Sequence, residues 1–152
     1  MAAPGGVTPL QHPTVVIDAS VWASRLMPQD GNHIASIGWM SRYTNAGGLM
    51  AAPAFLLIEL SAAITRQTGQ AAAGKRAANY IYRVSQMRLV QLDALLVNDA
   101  ANMAADLHLR AGDATYVTVA HQMRIPLVSW DREQIRRASS AIAAFTPDSF
   151  PF

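Results

Sequence analysis

The sequence predicts an α/β fold in which helices cover both faces of a central, mostly parallel sheet. Three observations predict it: short strand-like runs alternate with helical segments, no linker divides the chain, and no internal repeat is visible. Alternation favours a parallel sheet, because consecutive parallel strands need a crossover that is usually a helix. Hydrophobic residues make up 51% of the 152 residues, which suffices for one buried core.

Five short apolar runs are the predicted strands. The first run, residues 14–17, is the clearest, since its β-branched residues favour a buried strand. The fourth run is interrupted by Pro126. The predicted strands are residues 14–17, 49–52, 88–92, 125–130 and 143–145.

Longer segments with helical spacing connect these strands. Pro53 stands where the third helix would begin, which is a favoured position for proline, and Asn98 or Asp99 is expected to cap the fifth helix. Gly112 is expected to separate the fifth helix from the sixth. The predicted helices are residues 20–26, 33–43, 53–68, 71–85, 98–109, 114–123 and 132–140.

Composition excludes several classes of protein. The chain has no cysteine, so disulfide scaffolds, thiolate metal sites and cysteine nucleophiles are excluded. No apolar run approaches the ~20 residues that span a bilayer, so we expect a cytoplasmic protein without a membrane partner. Residues 1–13 are rich in proline and glycine and do not resemble a signal peptide. We expect a flexible tail at 1–13 and a single domain at 14–152.

The charge of the chain is unevenly divided. The formal net charge is +2 and the pI is about 9.4. If four acids form one pocket, the rest of the chain carries twelve basic and six acidic residues, a balance of +6. A basic surface around an acidic pocket suits a polyanionic substrate that meets a cation. The same balance fits an ordinary basic protein, so charge alone leaves both interpretations open.

Two acids, Asp18 and Glu59, stand next to or within apolar segments. Asp18 directly follows the first strand, where ligands bind in parallel sheets, but it could equally cap the helix that starts at residue 20. Glu59 lies in a helix that is apolar nearly all round, and no basic residue stands three or four positions away. A buried, unpaired carboxylate is costly. A metal ion would offset that cost, and so would a salt bridge to a distant arginine or exposure on a narrow polar stripe.

Two further acids begin helices. Asp113 follows Gly112, and Asp131 follows the fourth strand. Either could be an ordinary cap, and Asp131 with Gln134 resembles a capping box. Ser129 shares a face of the extended strand with Asp131, so its hydroxyl is expected beside the same position.

Together these four acids indicate metal chemistry. In a parallel α/β sheet all of them can converge at one edge, where their mutual repulsion would be tolerable only around a hard divalent cation such as Mg²⁺ or Mn²⁺. Such ions lower the pKa of water and stabilise the leaving oxygen in phosphodiester hydrolysis. The chain has no Gly-x-Ser-x-Gly elbow and no phosphate-cradling Gly-rich loop. The sequence therefore does not indicate a serine hydrolase or a nucleotide-binding protein of these types.

Four motifs resemble those of the PIN-domain family, especially the VapC-type toxins of bacterial toxin–antitoxin pairs. Each is centred on one of the acids, and their order and spacing agree with the family over roughly residues 14–150. The third motif reads Ala-Gly-Asp-Ala here, where the family commonly has Gly-Ala-Asp-Ala. The motifs are VVIDASVW at 15–22, PAFLLIEL at 53–60, LRAGDATYV at 109–117 and PLVSWDRE at 126–133.

The resemblance implies a PIN-like three-layer α/β/α sandwich and an Mg²⁺- or Mn²⁺-dependent endoribonuclease that acts on RNA. It implies Asp18, Glu59, Asp113 and Asp131 as catalytic, metal-binding acids, with Ser129 as a supporting polar group. It also implies a homodimer and, for the toxin branch, a cognate antitoxin protein that covers the active site.

Three arginines, Arg25, Arg110 and Arg132, lie close to these motifs in sequence. Arginines in such positions contact phosphates or simply face solvent. A non-catalytic module that binds RNA or protein on the same fold remains an alternative, although no acid is missing. A phospho-aspartate domain is less consistent with the sequence, because no second acid adjoins Asp18 and the only lysine, Lys75, lies in a predicted helix.

Overall fold

The computed structural model describes residues 9–152, and within them the predicted α/β fold is confirmed. Five strands form one sheet in which every pair is parallel, and the seven helices of the described residues complete a three-layer α/β/α arrangement. The strands are β1 Thr14–Ile17, β2 Leu49–Pro53, β3 Met87–Val90, β4 Leu127–Val128 and β5 Ala144–Phe145.

The strand order of the sheet is β3-β2-β1-β4-β5. From β1 the chain builds outward to β3 on one side, then crosses back so that β4 and β5 extend the other side. β1 therefore has β2 and β4 as neighbours, with Val16 beside Leu127 and Ile17 beside Val128. In open parallel sheets ligands bind beyond the carboxyl ends of strands where the order reverses, here after β1 and β4.

The helices found within residues 9–152 surround the sheet, and most lie close to their predicted positions. The helices are α1 Ala19–Leu26, α2 His33–Asn45, α3 Leu56–Thr68, α4 Ala71–Arg83, α5 Ala94–Leu107, α6 Ala111–Met123 and α7 Arg132–Ala138. A 3₁₀ turn, Pro147–Ser149, follows β5.

The prediction that Pro53 begins the third helix is wrong. Pro53 is the last residue of β2, beside Val90 of β3, and α3 begins three residues later at Leu56. Pairing of β2 with β1 ends at Ala51, so the missing N–H of Pro53 leaves no ladder bond unmade on that side.

The predicted start of the fifth helix and the predicted helix break at Gly112 are also wrong. Helix α5 begins at residue 94, because Asp93 rather than Asn98 or Asp99 caps it through a hydrogen bond of 2.8 Å from the Leu96 N–H. Gly112 does not interrupt a helix, since it is the second residue of α6. Asp113 therefore lies inside the first turn of α6 and does not cap it.

The fourth strand is shorter than the predicted residues 125–130. Arg124 ends α6 in a left-handed conformation with φ of 55°, and the Ile125 N–H donates to the Ala120 carbonyl. The chain consequently becomes extended only at Leu127. After Val128 it leaves the ladder with β1, which frees the following residues to form a site.

The core lies on both faces of the sheet and is formed mainly by β1, β2, β4 and the inward faces of the helices. The predicted flexible tail is residues 1–13, of which residues 1–8 lie outside the described residues. Leu10 packs against the core, and the His12 carbonyl accepts a hydrogen bond of 2.9 Å from Tyr43. No helix within residues 9–152 combines the length and the apolar character needed to cross a bilayer.

Candidate active site

Asp18 is the most buried acid of the site, with 6% of its surface exposed. It directly follows β1 and its Oδ2 accepts the Ser20 N–H at 3.0 Å, so it caps α1 as well as facing the sheet edge. Its carboxylate also lies 3.3 Å from the Ser129 hydroxyl and 3.3 Å from Gln134 Nε2. Hydrogen bonds to the charged form compensate in part for burial.

Ser129 connects two of the predicted acids. It is fully buried directly after β4, and its Oγ accepts the backbone N–H of Asp131 at 3.0 Å. Its single hydroxyl proton faces Gln134 Oε1 at 2.8 Å and Asp18 at 3.3 Å. The prediction that Ser129 sits beside the acids thus agrees with its position.

Asp131 and Asp113 are joined by one guanidinium group. Asp131 caps α7 by accepting the Glu133 and Gln134 N–H groups on Oδ1, each at 3.0 Å. Its other oxygen accepts Arg110 Nη2 at 2.6 Å, while Arg110 Nε donates to Asp113 Oδ2 at 3.1 Å. Arg110, which immediately precedes α6, therefore bridges two acids from different helices.

Glu59 lies in the first turn of α3, half-buried, with its Oε2 accepting the hydroxyl of Tyr116 at 2.6 Å. The expectation that the helix around it is largely buried holds only in part, because Ile58 is 65% exposed. On its other side Glu59 faces Gly112, where an added Cβ would come within 2.6 Å of Oε1. Glycine at this position makes room for the carboxylate.

The acids perturb one another. Burial raises the pKa of Glu59 above its ordinary value, the hydrogen bond from Tyr116 opposes the rise, and the charges of Asp18 and Asp113 add to it. Burial likewise raises the pKa of Asp113; Arg110 opposes this, and the charges of Asp18 and Asp131 add to it. The fold thus brings all four predicted acids to the carboxyl edge of the sheet, close enough to feel each other's charge.

The donor chemistry of this cluster fits a hard divalent cation, because every candidate ligand is an oxygen. Gly112 leaves space where a Cβ would press on Glu59, and a cation, the Arg110 guanidinium, already lies between Asp113 and Asp131. The side chains do not yet form a closed cage, since within residues 9–152 no three acids or histidines stand in position to hold one ion.

Comparison with known proteins identifies the family. Residues 15–140 match the sequence profile of the PIN domain, a stretch that covers most of the chain and includes all four acids. The chain belongs to the PIN-domain family. No curated protein matches the sequence.

Several solved structures share this PIN fold at low sequence identity. The VapC20 toxin of Mycobacterium tuberculosis, described as cleaving the sarcin–ricin loop, is 18% identical with a TM-score of 0.70, over 80% of this chain and 93% of that one. VapBC2 from Rickettsia felis, solved with a DNA fragment from its promoter, is 9% identical with a TM-score of 0.63 and coverages of 88% and 98%. FitAcB from Neisseria gonorrhoeae is 15% identical, with a TM-score of 0.62 and coverages of 88% and 97%.

Sequence reasoning missed two residues of this PIN-domain site and left a third undecided. The local pattern assigns Gln134 to a capping box, but its buried amide contacts Asp18 and Ser129. Tyr116 was not singled out, although it follows Asp113 by three residues and so shares a helix face with it. The sequence is compatible with Arg110 either contacting phosphate or facing solvent, and its pairing with two acids is a tertiary feature that no local pattern reveals.

Proposed function

We propose that this chain is a divalent-metal-dependent endoribonuclease and the toxin of a toxin–antitoxin pair. The observation that carries the proposal is the convergence of Asp18, Glu59, Asp113 and Asp131 at the strand-order reversal of a PIN-domain sheet. Four acids with one bridging arginine leave a local excess of negative charge. Burial first, and the neighbouring carboxylates in addition, raise the pKa values of Glu59 and Asp113, and Mg²⁺ or Mn²⁺ is the class of ion that relieves such an excess of negative charge.

The proposed reaction is hydrolysis of an RNA phosphodiester. The oxygen of a water attacks phosphorus, the bond from phosphorus to the leaving ribose oxygen breaks, and that oxygen takes up a proton. A divalent cation, when bound, supplies the positive charge that makes water acidic and offsets charge on the phosphate. Asp18, Glu59, Asp113 and Asp131 would hold it.

The remaining residues orient these acids. Ser129 and Gln134 fix the Asp18 carboxylate by hydrogen bonds, and Tyr116 fixes Glu59. Because burial raises the pKa of Glu59, protons and a cation compete for its carboxylate.

The proposed RNA path is a groove beside Glu59. A cavity of about 410 Å³ lies between α1 and α3, walled by small residues such as Ala19, Ala23 and Ala62, and it includes both Glu59 and Arg66. Arg66 is seven residues beyond Glu59 on α3, or roughly 10 Å along the helix. It has no ion pair among the described residues, so its charge is free for a phosphate that flanks the reacting one.

The proposed partners are a cognate antitoxin and a second copy of the chain. The fold likeness to VapBC2 from Rickettsia felis supports a toxin that is held by a protein partner. The likeness to VapC20, a toxin that cleaves a ribosomal RNA loop, supports RNA as the substrate class. Both are proposals for this chain, because the identities of 18% and 9% extend only to the fold.

A non-catalytic module that binds RNA or protein is the second candidate. Two observations favour it: Arg110 pairs with Asp113 and Asp131, and no three acids of residues 9–152 are positioned to hold one ion. A site neutralised by its own arginine has less need of a metal. The two candidates differ in whether the chain cuts RNA.

A cleavage assay separates them. Structured and single-stranded RNA would be incubated with Mg²⁺, Mn²⁺ or EDTA, using wild type, Asp18→Asn and the exposed control Asp106→Asn. We expect metal-dependent cutting that Asp18→Asn lowers by more than roughly a hundredfold, since losing even an outer partner of a ligand costs about 10- to 100-fold. Asp106→Asn should match wild type.

Other outcomes would redirect the proposal. Cutting that survives both EDTA and Asp18→Asn would refute the metal mechanism. RNA binding without cutting, from folded protein freed of partners and tested with each metal, would favour the binding module.

A further inference from the structure

Arg110 holds a position that the other arginines do not share. Its Nε and Nη2 contact Asp113 and Asp131 at 3.1 Å and 2.6 Å, so one planar group spans acids from the start of α6 and the start of α7. Two donors of a rigid fork fix two carboxylates in a way that a point charge does not. Arg110 is thus the counter-ion of this half of the site.

The ion pairs of Arg110 with Asp113 and Asp131 can break at low cost in free energy. The Arg110 side chain is 76% exposed, while the side chains of Asp113 and Asp131 are 19% and 26% exposed. Ion pairs with so exposed a partner contribute little to stability, so the guanidinium can leave at low cost. The acids cannot leave as easily, because Asp131 caps α7 and Asp113 lies within a helical turn.

We infer that Arg110 is a metal-responsive positioning residue: it holds Asp113 and Asp131 together in the metal-free chain, and a divalent cation displaces it. The inference rests on the proposed metal site. It explains why the acids are close enough to perturb one another while no three of those in residues 9–152 share a point suited to an ion. Exchange of a single positive charge for a double one completes the cluster and releases an arginine at the mouth of the site.

Manganese binding to the full chain tests this exchange. Free Mn²⁺ would be followed by electron paramagnetic resonance in wild type, Arg110→Gln, Arg110→Lys and Arg132→Gln. Arg132 adjoins Asp131 in sequence and is exposed, with no ion pair among the described residues, so it controls for loss of one positive charge. We expect Arg110→Gln to bind Mn²⁺ roughly threefold to tenfold more tightly than wild type, with a smaller change for Arg132→Gln.

Arg110→Lys separates contact from charge. It retains the charge but lacks the fork, so Mn²⁺ binding should be intermediate between wild type and Arg110→Gln. A second readout is the Arg110 Nε–H signal in a proton–nitrogen spectrum, which should shift when diamagnetic Mg²⁺ is added and return with EDTA. Neither readout depends on RNA cleavage.

The outcomes distinguish this inference from the proposed function. Equal Mn²⁺ affinity in Arg110→Gln and Arg132→Gln, or an Arg110 signal unmoved by saturating Mg²⁺, would overturn the inference and leave a metal-dependent nuclease intact. Absence of Mn²⁺ binding in every variant would overturn both. Tighter binding in Arg110→Gln together with no RNA cleavage would support the exchange and refute the nuclease.

Discussion

Glu59 keeps a charge at a position where charge is disfavoured. Its carboxylate is half-buried beside Asp18 and Asp113, and the hydrogen bond it accepts comes from a neutral phenol, Tyr116. A neutral or apolar residue would remove the repulsion and the desolvation cost. Local destabilisation of this kind is typical of functional sites, where a group is retained for its chemistry and not for the stability of the fold.

Tyr116→Phe tests the role of that hydrogen bond. The Tyr116 hydroxyl favours the ionised form of Glu59, so its loss should raise the pKa of Glu59 further. Glu59 would then be protonated at a higher pH, and since protons compete with the metal, the acid limb of the pH–rate profile should move to higher pH. The profile of kcat/KM for RNA cleavage measures this shift.

Tyr43→Phe is the matched control for that variant. Tyr43 is also buried, and its single hydroxyl proton lies between the His12 and Leu49 carbonyls, at 2.9 and 3.2 Å, away from the acids. Its loss should cost about 1–2 kcal/mol of unfolding free energy without moving the acid limb. Superimposable profiles for Tyr116→Phe and wild type would argue against Glu59 as an ionised participant.

At the scale of elements, the sequence predicts those helices and strands that are determined by local residue patterns. The β-branched run of β1 predicts a buried strand. The acids that follow β1 and β4 are predicted to lie together because strand ends in a parallel sheet meet at one edge. The predicted roles of Pro53 and Gly112 are wrong because tertiary neighbours decide them. Pro53 ends a strand where pairing with β1 has already stopped. Gly112 lies inside α6 beside Glu59, where an added Cβ would come within 2.6 Å of Oε1. The contacts of the Gln134 amide with Asp18 and Ser129 are likewise tertiary, so the local capping pattern does not predict them.

Gly112→Ala separates helix formation from site geometry. Alanine is the better helix former by about 1 kcal/mol, but its Cβ would lie 2.6 Å from Glu59 Oε1 and 3.4 Å from the Phe55 ring. The flexible carboxylate must move, so we expect little loss of thermal stability and at least a roughly tenfold loss of RNA cleavage. Differential scanning calorimetry and cleavage rates would be measured together.

Gly38→Ala provides the comparison. Gly38 lies within α2, and an added Cβ there meets nothing within 4 Å. It should raise Tm by about 2–4 °C and leave cleavage unchanged. Full activity in Gly112→Ala would mean that Glu59 does not need its present position.

At the scale of the whole molecule, the topology gathers acidic side chains at one edge of the sheet. The four acids meet at the carboxyl edge of the sheet, while the rest of the chain carries a balance of +6. A cation held by the acids would join that basic surface in attracting a polyanion. The same reversal of strand order that forms the crevice thus also concentrates negative charge at one edge of the sheet.

This arrangement predicts salt-sensitive RNA binding. In EDTA, which prevents cleavage, the logarithm of Kd for single-stranded RNA should rise linearly with the logarithm of salt concentration. If about three phosphates are neutralised, affinity should fall roughly tenfold to twentyfold between about 50 and 200 mM salt. Fluorescence anisotropy with a labelled oligonucleotide measures the slope.

Arg66 and Arg83 identify which edge of the sheet makes these contacts. Arg66 lines the groove that contains Glu59, whereas Arg83 ends α4 just before β3 begins, at the opposite edge. Arg66→Ala should lower the salt slope by about 0.7, the value for one phosphate of a single strand, and Arg83→Ala should leave it unchanged. A reduced slope in Arg83→Ala alone would move the RNA path to the amino edge, away from the acids, and the proposed nuclease geometry would then fail.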